Sequence, residues 1–128
     1  MGLFSPDHMP FGLERDTSPA GQPSLVNMTE QALKLLSKNP KGYLLFVEGG
    51  NIDNAHHEGY ARHALHETSD LDDAVIHAVQ VANPDDTLII VTADHSHTLT
   101  FAAFPERGAD IVGSWCFPSV HFHIAIIS

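Results

Sequence analysis

Cysteine is nearly missing from this chain. Cys116 is the only one in 128 residues, so no intrachain disulfide can form and a disulfide-stapled scaffold is excluded. Basic residues are scarce as well: 6 Lys and Arg stand against 16 Asp and Glu, a formal net charge of −10. A chain this poor in cations weighs against nucleic acid and against anionic membrane as partners. No apolar run approaches the roughly 18 residues that a membrane span needs. The opening residues, Met1 to Asp7, have neither the charged nor the apolar region of a secretory signal. A glycine-rich phosphate loop ending in Lys is absent. No nucleophile stands out either. Ser96 lies between His95 and His97, but adjacent side chains cannot line up as a relay.

Histidine, by contrast, is plentiful. There are ten, and they gather at the ends of apolar runs. The length allows one domain at most, and the 43% apolar composition supports a modest core.

Residues 1–23 are rich in Pro, Gly, Asp and Ser and read as irregular chain with turns. Ser24 is placed to cap a helix, and Leu25, Met28, Ala32, Leu35 and Leu36 follow at helical spacing. Asn39-Pro40-Lys41-Gly42 ends it, because the residue before Pro is pushed out of the helical region. Tyr43 to Val47 is a continuous apolar run, the pattern of a strand buried on both faces. A second helix is predicted from about Gly59 to Ala82, its apolar stripe opposed by an acidic, solvated face of Glu67, Asp70, Asp72 and Asp73. Thr87 to Thr92 repeats the buried-strand pattern, and Val120 to Ile127 passes as a terminal strand. The order helix, strand, helix, strand predicts an α/β fold with a parallel sheet and flanking helices.

Both buried-strand runs end in the same grammar. Glu48-Gly49-Gly50-Asn51-Ile52-Asp53 leads to His56-His57 after the first, and Ala93-Asp94-His95-Ser96-His97 follows the second. Sites in open α/β sheets lie outside the carboxyl ends of the strands, where both clusters fall. Carboxylate and imidazole together suit Zn²⁺, and the extra oxygens of Glu48 and Asp53 also suit Mg²⁺. Asp53 and His57 are four apart, so a helix opening at Asp53 would set both on one face. His97 is placed to orient a ligating carboxylate. His56, His63, His66 and His77 read as surface or helix-packing residues.

Val47-Glu48-Gly49-Gly50-x-Ile52-Asp53-x-x-His56-His57-Glu58 and Val91-Thr92-Ala93-Asp94-His95-Ser96-His97 closely resemble the alkaline phosphatase family. Leu3-Phe4, Pro23-Ser24-Leu25, Asn39-Pro40-x-Gly42, Ala64-Leu65-His66-Glu67 and Arg107-Gly108 share the resemblance, which runs from Leu3 to about Gly113. Residues 114–128 are unlike the family and read as an unrelated tail. Family proteins are several times longer, so this stretch reads as an internal fragment and an incomplete domain.

The resemblance implies two Zn²⁺ and one Mg²⁺ per site. It makes Glu48 a magnesium ligand, Asp53 and His57 ligands of one zinc, and Asp94 and His95 ligands of the other. His97 matches a histidine that supports a ligand from behind. It further implies hydrolysis of phosphate monoesters through a phosphoserine. The serine, the phosphate-binding arginine, and the remaining carboxylate and hydroxyl ligands correspond to positions before Leu3. The third histidine of the first zinc corresponds to a later His-Gly-Gly context, which His121 and His123 do not match. Asn51 stands where many members carry Arg. Asn54 stands where members commonly carry His or Lys, a position tied to outer-sphere contact with phosphate. Ser5 and Gln22 replace the acidic residues with which vertebrate members bind calcium, so no calcium is expected.

The full-length protein is expected to be a homodimer that is extracellular, periplasmic or membrane-anchored, although this stretch has no signal or anchor. The chain alone is expected to be inactive. With few elements and open strand edges, it is also expected to be marginally stable. The alternatives are a non-catalytic metal-binding relic, or a related phosphodiesterase or sulfatase on the same metal scaffold.

Overall fold

The computed structural model describes residues 1–97, together with the backbone of three short strands at 100–101, 116–117 and 123–127. The loop and side chains of residues 105–113, and the side chains of the tail, including His121 and His123, lie outside the described residues.

Helix α1 (Leu25–Leu36) starts at the predicted cap. Ser24 is extended, and its Oγ accepts a hydrogen bond from the Asn27 N–H at 3.2 Å. This satisfies one of the amides that a helix start leaves without a partner. After the helix the chain turns at Gly42, whose φ of 82° lies in the left-handed region. Strand β1 (Leu44–Glu48) follows directly.

Helix α2 (Asn51–His57) begins immediately after Gly49-Gly50 and so already contains Asp53 within its first turn. Tyr60 closes α2 by donating its N–H to the Ala55 carbonyl at 2.7 Å, and helix α3 (Ala61–Val81) begins there. Strand β2 (Leu88–Thr92) follows α3. The remaining strands are β3 (Thr100–Phe101), β4 (Cys116–Phe117) and β5 (His123–Ile127).

The core joins Leu33 of α1, Val47 of β1, Ile52 of α2, and Leu71, Ala74 and Ala78 of α3. Leu45 and Ile89 lean on it from the strands. Small alanines on α3 permit close approach of the neighbouring helices. Ile52 is completely buried, which fixes α2 between the strand end and α3.

The sheet departs from the predicted parallel arrangement. Its order is β1-β5-β2, and β5 runs antiparallel to both neighbours. Strands β1 and β2 do point the same way, as a strand–helix–strand unit requires. They pair only through β5, with Leu44 and Leu88 both opposite Ile127, and Phe46 and Ile90 both opposite Ala125. The apolar segment at the chain end takes the gap between them and supplies backbone partners to one edge of each. Burial departs from expectation too. Leu45 and Val47 face the helices, but Leu44, Phe46 and Leu88 are 54%, 72% and 57% exposed. Among the described residues, helices cover one face of the sheet only.

Residues 1–23 contain no helix or strand, as expected, but they lie against α2 and α3. The Asn51 side-chain amide donates to the carbonyls of Met9 and Pro10 at 3.0 and 3.3 Å. Phe11 packs on His63, with ring centroids 4.9 Å apart, and Glu14 reaches His63 Nε2 at 3.1 Å. Gly12 passes so close to α3 that a Cβ there would sit 2.2 Å from Asp70 Oδ2.

Glu67 corrects the expectation of a uniformly solvated acidic face. It is buried, and its Oε1 accepts the Gly12 N–H at 2.6 Å. Ala64, Glu67, Leu71, Ala74 and Ala78 recur at three- and four-residue steps, so Glu67 falls on the inward stripe. Burial pushes its carboxyl above the usual range. The Gly12 hydrogen bond opposes that shift, the nearby Asp70 adds to it, and His66 and His63 counter it.

Candidate metal centre

The site is built where β1 gives way to α2. Gly50 takes ordinary helical backbone (φ −59°, ψ −24°) and leads straight into α2, which carries Asp53 into the interior and His57 out to its last turn. Asp53 is 5% exposed as a residue, whereas the His57 side chain is 65% exposed. Their spacing of one helical turn brings Asp53 Oδ2 within 3.1 Å of His57 Nε2. The loop after β2 returns His97 to the same carboxylate, with Nε2 3.7 Å from Asp53 Oδ1. The rings of His57 and His97 meet edge to face, 5.1 Å apart at 87°.

Asp53, His57 and His97 form the one group of three acid or imidazole side chains, among the described residues, whose ligand atoms all lie within 4.8 Å of one another. One carboxylate and two imidazoles form a donor set that suits Zn²⁺. The other predicted ligands sit around this trio without joining it. Glu48, at the end of β1, folds its carboxylate back beside Gly50, where Oε1 lies 3.2 Å from the position a Cβ would take. Asp94 and His95 follow β2 and are exposed; their side chains approach at 3.3 Å, and Asp94 Oδ1 accepts the His95 N–H at 2.9 Å. The centroid of the His95 ring is 6.0 Å from that of His97.

An open cleft of about 430 Å³ runs beside the centre and is lined by Arg15, Glu48, Asn51, Asp53, Asn54 and Glu67, among others. Asn54 donates to Asn51 Oδ1 at 3.1 Å and also contacts His8 Nδ1 at 3.3 Å. Sequence reasoning placed His97 behind a ligand, and the structure sets it beside Asp53 within metal-ligand range. Glu67, expected on the solvated face of the second helix, lines this cleft instead, and its helical register with Ala64 and Leu71 is the signal of its burial.

A buried carboxylate on α2 with two imidazoles drawn to it is a donor set that could hold a metal ion, and comparison with known proteins shows the family. The sequence model of the alkaline phosphatase family matches residues 1–122, and the chain belongs to that family. It is 50% identical over 113 residues to the tissue-nonspecific alkaline phosphatase of Felis catus, covering 88% of this chain and 21% of the relative. It is 50% identical over 116 residues to alkaline phosphatase 4 of Drosophila melanogaster, covering 89% and 19%. A Bombyx mori relative named membrane-bound alkaline phosphatase is 44% identical over 114 residues, covering 89% and 20%. The chain thus spans about one fifth of the length of these relatives. No described helix is long and apolar enough to cross a membrane.

Proposed function

We propose that this chain forms part of a metal-dependent phosphate monoesterase of the alkaline phosphatase type, working through a phosphoserine whose serine comes from outside this stretch. The observation that carries the reading is the buried carboxylate of Asp53 held 3.1 Å from His57 at the end of β1, in a chain of this family. Asp53 and His57 are assigned to one Zn²⁺, Asp94 and His95 to a second, and Glu48 to Mg²⁺. His97 braces Asp53 in the complete enzyme. The donor types fit these ions: imidazole with carboxylate for zinc, and carboxylate oxygen for magnesium. When bound, such ions bring the pKa of water toward ~7 and clamp the attacking and leaving oxygens of an in-line displacement.

This chain's own residues supply rigidity and charge. Ile52, wholly buried, fixes the start of α2, so Asp53 presents its carboxylate from a packed helix instead of a loop. Asp94 is oriented by the His95 N–H. The complete protein is an α/β domain, a homodimer, and extracellular, periplasmic or membrane-anchored; the membrane-bound relative supports that placement.

The reading is tested by grafting residues 1–113 into a tissue-nonspecific alkaline phosphatase in place of the matching stretch. Hydrolysis of a chromogenic phosphate ester is expected with Zn²⁺ and Mg²⁺ present. The same assay on the 128-residue chain alone is expected to match metal-only controls. A folded graft without turnover would overturn the reading.

A further inference from the structure

We propose that Asn27, in the first turn of α1, is the acceptor of an N-linked glycan. The inference rests on the extracellular or membrane-anchored placement of the complete protein, and goes beyond it by naming the residue that is modified.

Asn27-Met28-Thr29 is the one Asn-x-Ser/Thr triplet in the chain, and its middle residue is not Pro. The co-reactant is an oligosaccharide carried on a lipid diphosphate. Asn27 Nδ2 forms a bond to C1 of the first sugar and gives up one proton. The bond from C1 to the diphosphate oxygen breaks, and the lipid diphosphate leaves with that oxygen.

The folded chain leaves room for the product. Ser24 Oγ accepts the main-chain N–H of Asn27, so the cap does not engage the side-chain amide, which makes no hydrogen bond among the described residues. Asn27, Gln31, Lys34 and Leu35 recur at helical steps and are all exposed, forming the outward face of α1. Ser24, Leu25 and Met28 line the cleft beside the metal centre, and Asn27 does not. A glycan on Asn27 therefore stands clear of both core and cleft.

Thr29 dates the modification. It is 1% exposed on the inward side of α1, and its Oγ1 has no hydrogen-bond partner among the described residues. An enzyme that reads this hydroxyl reaches it only before α1 packs, on the newly made chain. A buried hydroxyl without a partner costs stability, so the folded state gains nothing from Thr over Val. Once attached, a bulky and solubilising glycan keeps the outward face of α1 at the outer surface of the complete protein, away from any subunit contact.

The test is to express the 128-residue chain behind a cleavable secretory signal in animal cells, with Asn27→Gln, Thr29→Val and Thr29→Ser variants. Lysate and medium are treated with peptide N-glycosidase in heavy-oxygen water. One shift in mobility is expected for the unchanged chain, with residue 27 converted to labelled Asp by mass spectrometry. Thr29→Ser is expected to keep the shift, and Asn27→Gln and Thr29→Val to lose it. Glycan addition precedes folding, so a variant that fails to fold is still read in the lysate. An unchanged chain without the shift overturns the inference, and so does a shift that survives Asn27→Gln. Because the added signal supplies the compartment, neither result bears on where the complete protein resides, which localisation of that protein judges separately.

Discussion

Asp53 Oδ2 lies 3.1 Å from His57 Nε2 one helical turn along α2, and the two differ sharply in exposure. The carboxylate is the buried, fixed member and the imidazole the exposed one. Ile52, with no exposed surface, holds the fixed end in place. Ile52→Ala is therefore expected to destabilise the chain by about 2–4 kcal/mol through lost burial and a residual cavity. Urea titration followed by circular dichroism measures this. A loss below ~1 kcal/mol would show that α2 is not anchored through this side chain.

Glu67 sets a pH dependence. Burial raises its carboxyl pKa above the ordinary 4.5, so the folded state favours the protonated form. The sign follows by linkage: the stabilising contribution is complete below pH 4.5 and is lost as pH rises through the raised folded value. Glu67→Gln stays neutral and keeps an oxygen for the Gly12 N–H. The stability of the Gln variant relative to wild type is expected to grow as pH rises from 4.5 toward 7, read as urea midpoints at several pH values. A difference that does not change with pH would contradict the burial-driven shift.

The sheet face that no described helix covers predicts poor solution behaviour. Leu44, Phe46 and Leu88 share the face turned away from the helices and are more than half exposed. Exposed apolar surface of this kind favours association. Phe46→Lys is expected to raise the concentration at which the chain aggregates, with a stability change within about 0.5 kcal/mol, because little of that ring is buried. Light scattering against concentration checks it, and unchanged aggregation would place the sticky surface elsewhere.

Local features were legible in the sequence, and long-range ones were not. The Ser24 cap, strands β1 and β2 and the strand-end clusters rest on short-range chemistry, and each element stands where it was expected. Strand pairing was not legible, because β1 and β2 carry no mark of what lies between them. The segment 123–127 reads equally well as an outer strand or a middle one. The exposure of Phe46 was hidden for a related reason: an apolar run announces a buried strand without saying which covering elements are present. Glu67 was misread because its charge outweighed its helical register. At the centre, Asp53 and His57 followed from their spacing, whereas the approach of His97 depends on how the loop after β2 folds back, which four residues of sequence do not specify.

The most direct measurement compares kcat/KM for a chromogenic phosphate ester, with zinc content, in the grafted enzyme and in its Asp53→Ala variant. The graft is expected to turn over, and the variant to lose zinc and at least about 100-fold in kcat/KM, or ~2.7 kcal/mol of transition-state stabilisation. A variant that keeps both its zinc and its activity would contradict the assignment of Asp53, and with it the metal centre on which the proposed function rests.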